Sequence, residues 1–261
     1  MKLISGLFGQ KKPNKKKPVY VAAAYTPERP LYVVGDIHGC YDLLELVIDR
    51  IVEDAGDVGY DLVFVGDYID RGEHSRAVIE TLHKISQLAF VTCLCGNHER
   101  LLTGFLDDPA KNGRRWMRNG GLQTLASFGV GGVTETSSDE AMQLACDQFR
   151  TALGPYAPWL RALPVSFVSG NIFVTHAGAN PNLPIEAQPE KTLLWGHPAF
   201  LREPRLDGIW VVHGHTIIDE PVDGDSRISI DTGAYATGRL TVAKITNAGV
   251  TFSVGSKPVP E

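Results

Sequence analysis

Apolar and polar residues alternate along this chain in two rhythms. Apolar runs of four or five residues, each stopped by a glycine or a polar cluster, fall at Leu31–Val34, Asp61–Val65 and Phe90–Leu94. Runs this short, bounded by turn residues, predict buried strands. Between them, Asp42–Glu53 places Leu43, Leu46, Val47 and Ile51 at helical spacing, and Ser75–Leu88 does the same with Ala77, Val78, Leu82 and Ile85. Strands alternating with amphipathic helices predict parallel βαβ units and an α/β fold. Glu99–Leu106 continues as helix, and Asp107–Gly121 is polar and rich in glycine. Residues 139–163 read as helix, broken by Gly154, Pro155 and Pro158 and closed by Pro164. Residues 107–164 are therefore expected to form a helical insertion that walls a substrate cleft. Beyond it, Val165–Val168 and Ile172–Thr175 flank Ser169-Gly170-Asn171, which predicts a hairpin. Further strands are expected at Ile209–Val212, Arg227–Ile230, Leu240–Ile245 and Val250–Val254.

Composition narrows the class. With 261 residues, 43% hydrophobic and 21% charged, the chain is of ordinary globular type and long enough to bury a core without staples. No internal repeat is visible. No apolar run can span a membrane, and Met1–Phe8 is too short for a signal-peptide core. The four cysteines, Cys40, Cys93, Cys95 and Cys146, do not make a disulfide framework. Cys93 and Cys95 alternate with Leu94 and are expected on one side of a buried strand. These features together point to a soluble cytoplasmic protein.

Charge divides the chain. Residues 1–17 carry six lysines and no acid, so a chain of net charge −5 leaves the remainder at −11. A lysine-rich stretch with Pro13 and Pro18 reads as a flexible arm over residues 1–18, ahead of a single domain at 19–261. A solvated tail is the favoured reading of this arm. Weak contact with an anionic membrane surface through Leu3, Ile4, Leu7 and Phe8 is the alternative. The acidic body excludes a nucleic-acid-binding face.

The chemistry lies where the apolar runs end. The first three lead into Gly35-Asp36-Ile37-His38-Gly39, Gly66-Asp67-Tyr68-Ile69-Asp70-Arg71-Gly72 and Gly96-Asn97-His98-Glu99. Two later strands lead into His176-Ala177-Gly178 and His213-Gly214-His215-Thr216. In α/β sheets the crevice beyond the strands' carboxyl ends is where ligands bind, so these clusters are expected to converge. Carboxylates, imidazoles and an amide oxygen suit manganese, iron or zinc, whereas a structural zinc site would favour cysteine. A lone aspartate after glycine is usually a turn or helix cap. That reading does not account for histidines and an asparagine arriving in matching contexts.

The order GDxHG, GDxxDRG, GNHE, HAG, HGHT resembles the phosphoprotein phosphatase family of calcineurin-like metallophosphoesterases, in particular bacterial serine/threonine protein phosphatases. The likeness runs from about Leu31 to Leu240, and Ile230-Asp231-Thr232-Gly233-Ala234 adds to it. It implies a sandwich of two mixed β-sheets flanked by helices. It implies two divalent metal ions, manganese first and iron or zinc as alternatives. Asp36 and His38 would bind one, Asp67 would bridge both, and Asn97, His176 and His215 would complete the second. His98 would be the general acid, oriented by Asp70, and Arg71 would hold the phosphate oxygens, with Asn97 and His98 also touching substrate. Two such cations activate a water for in-line attack on phosphorus. A histidine beside a carboxylate can stay protonated and donate to an alkoxide.

Many relatives carry a second phosphate-binding arginine shortly after a Leu-Trp pair. Here Leu194-Trp195 is followed by Gly196-His197, which leaves His197, Arg202, Arg114, Arg115 and Arg118 as candidates. His213 reads either as a residue orienting a ligand or as a satisfied strand-end histidine. His74 and His83 read as surface residues. Trp116 and Tyr68 either line the cleft or pack inside, and Asn119-Gly120-Gly121 is a tight turn or a substrate-contact loop. The expected substrate is a phosphoprotein or small phosphoester. Three activities follow in order: a serine/threonine protein phosphatase, a dinucleoside polyphosphate hydrolase, and an inactive phospho-binding module. Asp70 before Arg71-Gly72 favours the first, because relatives of the second kind often lack that aspartate. The sequence leaves the oligomeric state open.

Overall fold

The computed structural model describes residues 21–256, so the arm expected over residues 1–18 lies outside the described residues. The first half alternates as the apolar pattern predicts: β1 (Leu31–Val34), α1 (Tyr41–Ala55), β2 (Asp61–Phe64), α2 (Ser75–Ile85), β3 (Val91–Cys93) and α3 (Asn97–Asp107). A helical stretch follows with α4 (Pro109–Trp116), a π-helical turn at Met117–Gly121, α5 (Leu122–Ser127), α6 (Asp139–Leu153) and α7 (Tyr156–Ala162). The remainder is β4 (Ser166–Ser169), β5 (Ile172–Thr175), α8 (Glu190–Trp195), β6 (Trp210–His213), β7 (Val222–Gly224), β8 (Arg227–Ser229), α9 (Ala234–Thr237), β9 (Arg239–Thr246) and β10 (Gly249–Ser256).

Helix starts follow local chemistry. Pro109 opens α4 where its missing N–H costs nothing, and the Asp108 carboxylate accepts the Lys111 N–H at 3.0 Å. Ser138 caps α6 by accepting from Ala141 N–H, with Asp139 and Glu140 in the first turn complementing the helix dipole. The polar, glycine-rich stretch before Gly121 is helical. Its arginines face solvent, while Gly113, Trp116 and Met117 turn inward.

Two five-stranded mixed sheets pack face to face, in the orders β10-β9-β1-β2-β3 and β4-β5-β6-β8-β7. Within them β1, β2 and β3 run parallel, as do β5, β6 and β8. Alternation along each strand divides the core. Leu31, Val33, Val63, Val65 and Leu94 meet Ile172, Val174, Trp210, Val212, Ile228 and Ile230 between the sheets. Tyr32, Val34, Leu62, Phe64, Cys93 and Cys95 point the other way, into the helices. Cys93 and Cys95 therefore share one side, and burial pushes both thiols well above the ordinary thiol range, so they pack as inert apolar groups. On the far face of the second sheet Phe173 and Val211 meet Leu193 and Phe200. The hairpin at Gly170-Asn171 is present, with Ser169 opposite Ile172. Among the described residues no helix is long and apolar enough to cross a membrane.

His213 closes β6 and sits in register with Ser229 of the parallel neighbour β8. Its Nε2 lies 2.8 Å from Ser229 Oγ and its Nδ1 2.9 Å from the Gly214 carbonyl. Both ring nitrogens are engaged, so this is the satisfied strand-end histidine. Burial pushes its pKa down to about 4. A histidine that is neutral when folded contributes stability that is complete above its unfolded pKa and is lost as pH falls towards the folded one. Between pH 7.5 and 5 the wild type should lose about 2 kcal/mol more unfolding free energy than His213→Gln. Denaturant titration in chelator at the two pH values checks this, and equal losses would contradict it.

Candidate metal centre

All the parallel strands deliver their carboxyl ends to one edge of the sandwich. From the first sheet β1 leads to Asp36 and His38, β2 to Asp67, Asp70 and Arg71, and β3 to Asn97, His98 and Glu99. From the second sheet β5 leads to His176, β6 to His215 and β8 to Asp231. The backbone there is tightly folded: Ile37 and His38 N–H both donate to the Asp67 carbonyl, at 3.1 and 2.9 Å. His38, Asp67, Asp70, Arg71 and His215 hold positive φ, a region shared among described non-glycine residues only by Asp225 and Ser226. Each such residue costs on the order of 1–3 kcal/mol. Gly214 is required by close approach, because a Cβ there would overlap Asp36 Oδ1.

Asp67 is the hub. His38 Nε2 lies 3.5 Å from its Oδ2, and His176 Nε2 lies 3.5 Å from its Oδ1. His176 Nε2 is also 2.8 Å from Asn97 Oδ1 and 3.1 Å from His215 Nδ1. Donor atoms of His38, Asp67 and His98 form one group suited to a cation, and those of Asp67, His176 and His215 form another, each within 4.8 Å of one another. Asp36 faces the His215 N–H at 3.0 and 3.2 Å. Each sequence-derived ligand candidate thus lies at this edge, buried except for the half-buried His215.

One imidazole is held with a bare ring nitrogen toward the cluster. His38 Nδ1 donates to the Ile69 carbonyl at 2.8 Å, which leaves Nε2 bare toward Asp67. Burial pushes His38 down to about 3 and His176 down to about 4, so both are neutral. Burial opposes charge on Asp67, but the surrounding His176, His98 and His38 hold it below the usual carboxylate range. His98 behaves differently. Burial disfavours its charge, yet Asp67 and the Asp70 bond at 2.6 Å outweigh this and lift it to about 9.

Sequence reasoning missed two acids. Glu99 is fully buried and accepts backbone N–H from Gly96 (2.8 Å), Asp67 (2.9 Å) and Tyr68 (2.9 Å), fastening the ends of β2 and β3 together. Burial and Asp67 push it up to about 7. Its place three residues after the Gly96 N-cap is a capping-box signal that was readable. Asp231 lies beside Asp36, and burial lifts it to about 6. Burial, then Asp231 and Asp67, drive Asp36 well above its ordinary value. Neutral imidazoles, an amide oxygen and mutually repelling buried carboxylates fit divalent cations, which would reverse that repulsion.

Two cavities open on this edge. One, of about 440 Å³, is lined by Arg71, Arg118, Asn119, Gly120, Gln123 and Tyr235. The other, of about 300 Å³, runs from Ala177, His215 and Thr216 to Trp195, His197, Phe200 and Leu201. Arg71 lies over the Tyr235 ring at 4.6 Å, and Arg115 over Trp195 at 4.9 Å. Arg202 lines a separate cavity with Pro181 and Leu206, and Arg114 is spent on Asp139 and the Ser137 carbonyl. His197 Nδ1 accepts the Ala199 N–H at 3.2 Å. Trp116 and Tyr68 are buried rather than cleft-lining, and His83 is half-buried against Tyr156 and Trp159 while His74 is exposed.

Comparison with known proteins agrees with this architecture. The chain matches the family model "Calcineurin-like phosphoesterase" over residues 29–219. It is 29% identical to the bis(5'-nucleosyl)-tetraphosphatase PrpE [asymmetrical] of Halalkalibacterium halodurans, over 81% of this chain and 88% of that one. It is 30% identical to serine/threonine-protein phosphatase 1 of Salmonella typhimurium, over 83% and 92%. A solved metallophosphoesterase from Sphaerobacter thermophilus shares the fold, at 21% identity and TM-score 0.51, over 86% of this chain and 87% of that one. On the extent of that match, and with the strand-end cluster it contains, the chain belongs to the calcineurin-like phosphoesterase family and is a hydrolytic enzyme.

Proposed function

We propose that this enzyme is a phosphomonoester hydrolase that acts on serine/threonine phosphoproteins. Asp36 and His38 would hold one divalent cation and Asn97, His176 and His215 a second, with Asp67 contributing to both. Manganese is the metal proposed first for these oxygen and nitrogen donors. Bound cations would supply Lewis acidity and an activated water for in-line attack. The residues do the rest. Arg71 offers a guanidinium fork to the phosphate oxygens, His98 adjoins it, and Asn97 also contacts the substrate.

The observation that carries this reading is the 2.6 Å contact between His98 Nδ1 and Asp70 Oδ2. With Nδ1 donating to the carboxylate, Nε2 is the ring nitrogen left free of Asp70; here it accepts from Arg71 Nη2 at 3.3 Å, and it would carry the second proton of a charged His98 once Arg71 turns to phosphate. A strong proton donor beside the phosphate clamp is worth most when the departing oxygen is an alkoxide, as from serine or threonine. A nucleotide leaving from a phosphoanhydride is already a weak base and needs that proton little. A dinucleoside polyphosphate hydrolase is the second reading. It is supported by what the PrpE relatives are called and by the arginine-stacked Trp195 and Tyr235 rings, on which bases could stack. The complete set of ligand candidates, with Asp70, Arg71 and His98, speaks against an inactive binding module.

Arg118 is our choice for the second phosphate cation. It shares the Arg71 cavity, whereas Arg202 and Arg114 are engaged or placed elsewhere.

Manganese-loaded protein should hydrolyse p-nitrophenyl phosphate and lose that activity to a chelator; inactivity with every divalent metal tried would refute both hydrolase readings. Rates on a phosphoserine peptide and on diadenosine tetraphosphate, measured side by side, should favour the peptide, and the reverse order would promote the second reading. Arg118→Ala should weaken competitive inhibition by inorganic phosphate about tenfold with metal content unchanged, the scale of one charge-assisted contact. An unaltered inhibition constant would remove Arg118 from the pocket.

A further inference from the structure

We infer that Thr124 and Trp116 are positioning residues for the general acid: they fix the Asp70 carboxylate so that it aims His98 at the leaving oxygen. This rests on the hydrolase reading above, in which His98 donates that proton.

Asp70 belongs to the loop after β2, but its side chain is held from the helical stretch. Thr124 Oγ1 donates to Asp70 Oδ1 at 2.6 Å. Trp116 Nε1 donates across both oxygens, at 3.1 Å to Oδ1 and 2.9 Å to Oδ2. With His98 on Oδ2, these contacts engage the lone pairs a carboxylate can offer in its plane. The same Thr124 hydroxyl oxygen accepts the Asp70 backbone N–H at 2.9 Å, so one hydroxyl grips both ends of the residue. All four side chains are buried, and water does not compete for the contacts.

The helix has to bend to do this. Residues eight apart on a straight α-helix are separated by about 12 Å along the axis. Trp116 and Thr124 nevertheless reach one carboxylate. The π-helical turn between them and Gly120, at φ 101°, close that distance. A Cβ on Gly120 would lie 2.6 Å from Arg71 N, and the Gly120 carbonyl accepts that N–H at 3.3 Å. The bend thus clamps Asp70 and Arg71, consecutive residues that both hold positive φ. A π-turn that serves the fold alone has no need to end on two donors to one carboxylate. Packing of Trp116 against Phe105 and Phe149 anchors one jaw.

Thr124→Val keeps the shape and removes the hydroxyl; Thr124→Ser restores it. With manganese-loaded enzyme, kcat is measured on p-nitrophenyl phosphate and on phenyl phosphate, whose phenol is the weaker acid and leaves with more need of a proton. Thr124→Val should lose about tenfold or more on phenyl phosphate and under about threefold on p-nitrophenyl phosphate, since a misaimed acid costs most where protonation matters most. Thr124→Ser should stay within about twofold of wild type on both. Manganese content should be unchanged in each. Equal losses on both esters, or a serine variant as defective as valine, would overturn the inference. If Thr124→Val does not fold, Trp116→Phe, which keeps the ring and deletes the N–H, must show the same divergence between the two esters. A wild type that hydrolyses neither ester would instead sink the hydrolase reading itself.

Discussion

Burying several carboxylates together without a matching number of cationic side chains is the constraint on which this molecule turns. Asp36, Asp67, Glu99 and Asp231 meet at one edge of the sandwich, nearly excluded from water. Each alone would neutralise by taking up a proton, and burial and mutual repulsion push three of the four that way. Asp67 escapes because imidazoles surround it. The surrounding loops keep the charges apart by spending backbone N–H groups on them: three go to Glu99, one to Asp36 from His215 and one to Asp231 from Gly233. The positive φ values at His38, Asp67, Asp70, Arg71 and His215 arise in those same loops. Backbone strain and carboxylate crowding are thus two sides of one arrangement, and both are tolerated because the parallel strands beneath are rigid and buried on both faces.

The fold was readable because the apolar runs are short, unbroken and punctuated by glycine. Such runs mark strands buried on both sides, and β1, β2, β5 and β6 are that. Short or exposed elements were not readable. β7 is a three-residue exposed edge strand with no alternation, and it exists through its pairing with β8. α8 and α9 are only six and four residues long, below the length at which periodicity shows. Within the polar stretch after Asp107, arginines and glycines mask the spacing of Pro109, Gly113 and Trp116 on the inner face, so no helix boundaries showed there.

At the site, the residue types and their strand-end placement were legible, since Asp, His and Asn after an apolar run stand out. Support from a distance was not. Nothing near Asp70 in sequence announces Trp116 or Thr124, forty-six and fifty-four positions away. The arginine question likewise needed coordinates: His197, Arg202 and Arg118 are equally plausible by sequence, and only the cavities separate them.

The centre straddles a seam. Asp36, His38, Asp67 and Asn97 come from one sheet, and His176, His215 and Asp231 from the other. In the proposed assignment one donor set, Asp36, His38 and Asp67, stays within the first sheet, whereas the other needs Asp67 and Asn97 from one sheet and His176 and His215 from its neighbour, so that second site would be lost if the sandwich came apart. An ion shared between Asp67 and His176 would act as a rivet between the layers, and its binding free energy would add directly to the cohesion of the two sheets. Tightness of the metal and integrity of the interlayer core then become one quantity: a mutation in the dry valines between the sheets would be felt as leakage of the ion.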